Sequence, residues 1–157
     1  MQVKGSLLKI LQPESQFDEN QLYAEKELEE ALQNKKPFVL EENGIEIFKN
    51  FIRTSSVGFE NFQESFVSLY KVFYHYLKGE GVGIIKSIEY RSGFMKIAEN
   101  VPLPCDLTLG ILKGMMKFLK AKSVLVKHKN CRKEGFKFCE YEINWMVSNV
   151  SWAFVTG

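Results

Sequence analysis

Apolar residues in the first half of the chain recur at helical spacing. The strongly charged segment from Asp18 to Asn34 carries a sparse apolar stripe, and a short amphipathic stretch follows Asn43 and Gly44, with Pro37 as a breaker between the two. From Phe59 to Leu77, apolar side chains fall at steps of three or four, which is one face of a helix with a 3.6-residue period. The pattern therefore predicts a helical first half.

The second half of the chain changes to the alternating period of strands. Ile84 to Tyr90 and Gly93 to Ala98 predict a hairpin, and Asp106 is placed to cap a helix that runs to Ala121. Two further strand-like runs follow, Ser123 to Lys129 and Phe136 to Val147. The final segment, from Ser151 to Val155, is typical of another strand or of an exit towards a further domain.

The order of these elements predicts an α+β fold, with a helical N-terminal half packed on an antiparallel sheet. One long helix is inserted before the last hairpin, and Gly110 and Gly114 on that helix would let it approach another backbone closely. A length of 157 residues matches one domain, so we expect residues 1–157 to form a single unit. Thirteen phenylalanines supply a large apolar core, or a core with space for an apolar ligand.

The composition, with 45% hydrophobic and 25% charged residues, is typical of a globular domain. The start of the chain has lysines inside its short apolar run, and no stretch approaches the ~20 apolar residues that cross a bilayer. We therefore expect a cytoplasmic protein that has no membrane contact and keeps its cysteines reduced. No phosphate-binding loop or catalytic triad is evident, which favours a binding protein over an enzyme.

Basic residues crowd the stretch between Lys113 and Lys137. Such a cluster can bind phosphate groups. Nucleic-acid-binding proteins usually interleave aromatic residues with the basic ones, and this stretch has few. A solvated helix face that runs into a solvated hairpin is the favoured interpretation, and nucleic acid is not expected as a partner of this domain.

Candidate metal ligands are concentrated in the last third of the chain. Cys105 precedes the predicted helix, His128 and Cys131 lie near the end of one strand, and Cys139 lies across the hairpin. Three thiolates and one imidazole form a tetrahedral zinc set without an open position, which makes such a site structural. The alternative is that the cysteines are small buried apolar residues and that His128 faces solvent.

The segment from Cys105 to Trp145 combines a cysteine before a helix, two glycines four residues apart, and a hairpin whose two cysteines are eight residues apart. It resembles the C-terminal portion of vinyl-4-reductase-type domains, whose superfamily also contains haem nitric-oxide-binding sensor domains and TRAPP trafficking subunits. In the members of this family that sense aromatic compounds, zinc is held by three cysteines and an acidic residue. The resemblance therefore implies a zinc ion on Cys105, Cys131 and Cys139, with His128 at the acidic position.

The resemblance also implies a function. The leading hypothesis is a sensor domain that binds a small apolar or aromatic molecule, and the alternative is an interaction scaffold similar to TRAPP subunits. A homodimer formed mainly through the helical half is expected on the same ground. The chain has two histidines and no Tyr-x-Ser-x-Arg motif, so no haem is expected.

The position of the expected pocket follows from the apolar faces. Two helices, the one from Phe59 to Leu77 and the one from Asp106 to Ala121, each need a partner face, and the sheet is near both. We therefore expect an apolar ligand pocket between these three elements. Its candidate wall residues are Phe66, Tyr70, Phe73, Met115 and Leu119.

Overall fold

The computed structural model describes residues 1–56 and 61–147. Helices dominate up to residue 76, beginning with α1 (Gly5–Leu11) and α2 (Glu25–Leu32). The long helix α3 (Pro37–Thr54) is followed by the short helices α4 (Phe62–Val67) and α5 (Tyr70–Tyr76). None of the helices in the described ranges is long and apolar enough to span a membrane.

The helical half also contains a small sheet that the sequence pattern does not predict. Its strands are β1 (Gln2–Lys4), β2 (Leu22–Ala24) and β3 (Leu77–Lys78), in the order β2-β1-β3 with antiparallel pairing. Because each strand has at most three residues, none is long enough to show a two-residue period. The strand β2 also lies in the first half of the charged segment 18–34, so the helix there is confined to α2.

The second sheet has four antiparallel strands in the order β4-β5-β7-β6. They are β4 (Ile85–Arg91), β5 (Phe94–Glu99), β6 (Lys122–His128) and β7 (Cys139–Met146). The helix α6 (Cys105–Phe118) lies between β5 and β6 in the chain. This arrangement confirms the predicted α+β class, with one long helix inserted before the last hairpin. The predicted strand at residues 151–155 lies outside the described residues.

Helix α6 packs along α3 through small residues. Gly44 of α3 faces Gly110 of α6, and a Cβ atom on either glycine would overlap backbone atoms of the other helix. Gly114 lies against Phe48 on the next turn, with 3.0 Å between the position of an added Cβ and the Cβ of Phe48. The expected close approach of α6 to another backbone is therefore found. Helix α3 also begins earlier than the sequence pattern predicts, at Pro37 and not after Asn43 and Gly44.

The predicted helix from Phe59 to Leu77 is divided in two. Helix α4 begins after Asn61, whose side chain accepts a hydrogen bond from the backbone N–H of Glu64, and it ends at Val67. Helix α5 begins at Tyr70. The apolar period runs through both helices, so spacing alone could not reveal the interruption, and the predicted start at Phe59 lies outside the described residues.

Candidate functional site

The four candidate metal ligands come from three separate parts of the fold. Cys105 is the first residue of α6, and His128 is the last residue of β6. Cys131 precedes a short 3-10 turn, Arg132–Glu134, and Cys139 is the first residue of β7. One donor atom from each of the four residues lies within 4.8 Å of the others. The structure therefore brings the whole predicted set together at one end of the sheet.

The sulfur atoms of the cluster are spaced as a tetrahedral metal site requires. The Sγ atom of Cys105 lies 3.6 Å from that of Cys131 and 3.5 Å from that of Cys139, and the remaining pair is 3.9 Å apart. Four ligands at the usual zinc–sulfur distance of about 2.3 Å place their sulfurs about 3.8 Å apart. The same separations are much longer than a disulfide bond, and all three thiols are free.

His128 contributes a buried nitrogen that lacks a protein partner. Its Nε2 atom is buried and accepts or donates no hydrogen bond within the described part of the chain. The ring stacks on that of Tyr141, its register partner on β7, with centroids 4.9 Å apart. An unpaired buried imidazole nitrogen costs free energy. Binding a metal ion would remove that cost, so these residues fit a zinc ion.

Two charged residues that sequence inspection did not single out surround the cluster. Arg132 donates hydrogen bonds from its backbone N–H and from Nε to the Sγ atom of Cys139, both at 3.4 Å. The fully buried carboxylate of Glu99 accepts hydrogen bonds from the Tyr141 hydroxyl at 2.9 Å and from the Val101 N–H at 2.7 Å. The only sequence signal for Arg132 was its position next to Cys131. Glu99 gave no sequence signal, because an acidic residue in a strand is ordinarily exposed.

The environment changes the proton affinity of the thiols in opposite directions. Burial raises the pKa of Cys105 to about 12, and its hydrogen bonds with Cys139 and Cys131 act in the same direction. Burial also acts to raise the pKa of Cys139, but the hydrogen bonds from Arg132 outweigh it and lower that pKa. The surroundings therefore favour the thiolate form more at Cys139 than at Cys105.

In the described part of the chain, the five predicted wall residues of a ligand pocket lie in different surroundings. Tyr70 is on the surface, where its ring packs against that of Tyr74, while Met115 is fully buried. Phe73 lines a small enclosed cavity between α1, α3, α5 and α6. Phe66 packs against aromatic side chains of the sheet, and Leu119 follows α6. The assignment of these five residues to ligand binding stays a prediction.

A larger cleft lies between α4, the end of α6 and the sheet, in the region where the pocket was expected. Its volume is about 700 Å³, which is in the range of small-molecule sites. Phe62 stacks on Trp145 with ring centroids 4.8 Å apart, and Tyr90 lies beside Trp145. Leu119 also lines the cleft. Sequence inspection missed the aromatic wall because Phe62, Tyr90 and Trp145 come from three distant segments.

The enclosed cavity is far smaller than this cleft. It is lined by apolar residues, and its volume is about 10 Å³, roughly the space of one water molecule. Neither histidine lines it. The ring of His75 packs instead between Phe51 and Tyr76, and its Nε2 lies 3.4 Å from the hydroxyl of Thr54. This one cavity in the described part of the chain therefore has space for about one water molecule.

Comparison with known proteins gives structural matches alone. No protein-family model matches the sequence, and no curated protein matches it. A crystal structure of an H-NOX protein from S. oneidensis in the Fe(II)NO state is 17% identical, covers 92% of this chain and 99% of its own, and superimposes with a TM-score of 0.73.

Two further H-NOX structures agree with this match. The NMR structure of an H-NOX domain from Shewanella oneidensis in the Fe(II)CO state is 19% identical, with a TM-score of 0.66 and coverage of 90% of this chain and 87% of its own. A variant H-NOX from T. Tengcongensis is 16% identical, with a TM-score of 0.62, and the match covers 94% of this chain and 88% of its own.

These matches correct two expectations drawn from the sequence. The resemblance to vinyl-4-reductase-type domains is replaced by a likeness in fold to H-NOX domains. The expectation that the chain binds no haem is contradicted as well, because the matched structures are H-NOX proteins that hold iron with NO or CO. The missing Tyr-x-Ser-x-Arg motif was a poor guide because fold persists where such motifs change.

Within the described residues, the small apolar cavity between the helices is by itself too small to hold a haem. The enclosed apolar cavity is about 10 Å³, whereas sites for ligands of drug size or larger start at about 300 Å³. Neither His75 nor His128 is placed to reach into it. What the comparisons establish for this chain is its architecture, and that architecture is the H-NOX fold.

Proposed function

We propose that this chain is a small-molecule sensor domain built on the H-NOX fold, in which Cys105, His128, Cys131 and Cys139 hold one structural zinc ion. The observation that carries the proposal is the convergence of four soft donor atoms, from three parts of the chain, within 4.8 Å. Zinc is the metal that a tetrahedral set of three thiolates and one imidazole suits best.

The role of the ion follows from its ligands. Four protein ligands leave no position for water or substrate, so the ion would supply stability rather than catalysis. Through the ion, Cys105 would tie the first turn of α6 to the hairpin of β6 and β7, and among the described residues no ladder of hydrogen bonds joins that turn to the hairpin. Metal binding would therefore add to the folding free energy of these elements.

Cobalt substitution tests the ligand set. We expect Co²⁺ to bind the metal-free protein with the intense visible bands of a tetrahedral thiolate site and with one ion per chain. Cys131→Ser should abolish these bands and lower the melting temperature by several degrees. His128→Glu should retain them, because a carboxylate is also an ordinary zinc ligand. Weak, octahedral-type spectra in the wild-type protein would contradict the proposal.

The sensing role is supported by the fold and by the cleft. The matched H-NOX structures hold NO or CO at an iron centre, so this fold accommodates small-molecule ligands in those proteins. In this chain, the cleft beside Trp145 offers about 700 Å³ with an aromatic wall and with Lys120 and Lys122 at its edge. Such a site suits a planar aromatic molecule, preferably one that carries a negative charge.

A fluorescent aromatic anion tests the cleft. We expect anilinonaphthalene sulfonate to bind at one saturable site and to quench the fluorescence of Trp145, which lies in the wall. Phe62→Ala should weaken binding about tenfold, since a stacked aromatic partner contributes about 0.5–1.5 kcal/mol beyond its buried area. Phe38→Ala is the control, because Phe38 is an exposed aromatic on α3 that does not line the cleft.

The same titration with haemin compares the cleft with the ligand class of the structural neighbours. Binding of haemin at one site that Phe62→Ala weakens would make a porphyrin the occupant of the cleft. Dye binding that does not saturate, or that Phe62→Ala leaves unchanged, would contradict a ligand site there. Nothing in the fold or the comparisons favours the alternative of a scaffold similar to TRAPP subunits.

A further inference from the structure

Arg132 lies between the sulfur cluster and the buried acid. Its Nε donates to the Sγ atom of Cys139 at 3.4 Å, and its terminal NH2 group donates to the backbone carbonyl of Val101 at 2.7 Å. The same NH2 group lies 3.7 Å from a carboxylate oxygen of Glu99. The guanidinium therefore contacts the loop before α6, the start of β7 and the end of β5 at once.

The charge of the proposed centre requires a partner of this kind. Three thiolates and a neutral imidazole around a divalent cation leave a net charge of −1, and the three cysteines are buried. A buried charge without a partner is costly, and the fully buried Glu99 adds a second acidic group nearby. Within the described ranges, no other side-chain N–H donates to these sulfurs.

The neighbouring basic residues are placed differently. The ammonium group of Lys129 lies 3.7 Å from a carboxylate oxygen of Glu142, and that of Lys137 lies 5.8 Å from the ring centroid of Phe138. Both belong to the same basic hairpin as Arg132, yet neither approaches the cluster through a described contact. Position in the fold, and not basic character alone, therefore distinguishes Arg132.

We propose that Arg132 is the positioning and charge-compensating residue of the metal centre, holding the Cys139 sulfur in place and balancing the net negative charge of the loaded site. This inference rests on the proposed zinc site but adds a residue that is not a ligand. A planar guanidinium is suited to the task, because it presents several N–H donors in fixed directions. Residues around a metal site orient the ligands and tune the metal in this way.

Two substitutions and a matched control test the proposal. Arg132→Met removes the charge and the donors while keeping a long apolar stem, and Arg132→Lys keeps the charge without the planar group. Lys137→Met removes one charge from the same hairpin. Zinc affinity is measured by competition with a chromophoric chelator, and the thiolate-to-cobalt charge-transfer band is recorded for each Co²⁺-loaded protein.

We expect Arg132→Met to bind zinc about 10–100-fold more weakly, which is the usual effect of losing a residue that supports the ligands. Its charge-transfer band should move to longer wavelength, because a sulfur without its N–H donor gives up electrons more easily. Arg132→Lys should fall between this variant and the wild-type protein, and Lys137→Met should match the wild-type protein. A purely structural role of Arg132 would change the melting temperature but not the band.

The inference would be overturned if both Arg132 variants bound zinc with the affinity of the wild-type protein and showed the same charge-transfer band. The proposed zinc site would then still stand. Absence of metal binding by the wild-type protein would overturn the zinc site and the inference together. Should Arg132→Met not fold, the intermediate affinity and band position expected of Arg132→Lys decide the question.

Discussion

The imidazole ring of His128 lies nearly parallel to the phenol ring of Tyr141, with 15° between the planes and 4.9 Å between the centroids. The hydroxyl of the same tyrosine donates a hydrogen bond to the buried Glu99. Tyr141 thus stacks its ring on the candidate ligand His128 and donates its hydroxyl to the buried carboxylate of Glu99. These two tasks can be separated by substitution.

Tyr141→Phe should retain metal but lower stability. The ring against His128 remains, while the buried Glu99 loses one of its donors, which costs about 1–3 kcal/mol. Urea unfolding measures the free energy, and metal analysis measures retention. Tyr74→Phe is the control, since its hydroxyl donates to Gly83 on the surface and its loss should cost about 0.5 kcal/mol or less. Loss of the metal in Tyr141→Phe would contradict the separation of tasks.

Gly110→Ala should destabilise the packing of α6 on α3. A Cβ atom at this position overlaps the backbone carbonyl of Glu41 and the Cα atom of Gly44, and two helix backbones cannot move apart without losing contacts elsewhere. We expect a loss of about 1–3 kcal/mol in the free energy of unfolding, even though alanine favours helices. Lys117→Ala, at an exposed position of the same helix, is the control. Equal stability of the two variants would refute the close approach.

His75 should make stability fall in mild acid. Burial lowers its pKa from 6.5 to about 4, and the charges of Lys4 and Lys78 act in the same direction. The unfolded chain therefore takes up a proton more readily than the folded one between these values. The stabilisation that the neutral His75 contributes to the folded state is complete above pH 6.5 and is lost as the pH falls towards 4.

His75→Phe tests this expectation, because phenylalanine preserves a ring beside Phe51 and Tyr76 without a titrating group. We expect its unfolding free energy to fall less steeply than that of the wild-type protein between pH 6.5 and 4. Metal release in acid is common to both proteins and cancels in the difference. Identical pH profiles would mean that His75 is not the titrating group.

The sequence and the structure agree best where residue types are distinctive. Cysteines and a histidine are few enough that their shared position near one hairpin suggested a metal cluster, and the family resemblance implied the same set of four ligands. The strands β4 to β7 and the helix α6 carried clear periods, and their order implied the antiparallel sheet. Periodicity could not reveal the division between α4 and α5, because the apolar face continues across it.

Other features depend on contacts between distant segments. The three-residue strand β1 exists because β2 and β3 pair with it, and nothing within it requires a strand. Arg132 belonged to a run of basic residues that is ordinarily solvated, and only its contacts with Cys139, Val101 and Glu99 in the folded chain distinguish it. Phe62 and Trp145 likewise meet only in the folded chain. Such relationships have no local signal.

The expectation of a homodimer stays open to a direct measurement. Apolar side chains remain exposed on the helical half, Phe38 at 61% and Val67 at 64%, and a second copy could cover them. We expect light scattering at micromolar concentration to give twice the chain mass of 18.2 kDa. Phe38→Asp should shift that mass towards the monomer, and a wild-type monomer would refute the expectation.

Elemental analysis of the untagged protein, purified without chelators, is the sharpest test of the zinc site. We expect about one zinc ion per chain, together with three cysteine thiols that react only after the metal is removed. Less than about a tenth of an equivalent of zinc, with all three thiols reacting freely from the start, would contradict it. Cys105, Cys131 and Cys139 would then be buried apolar residues and nothing more.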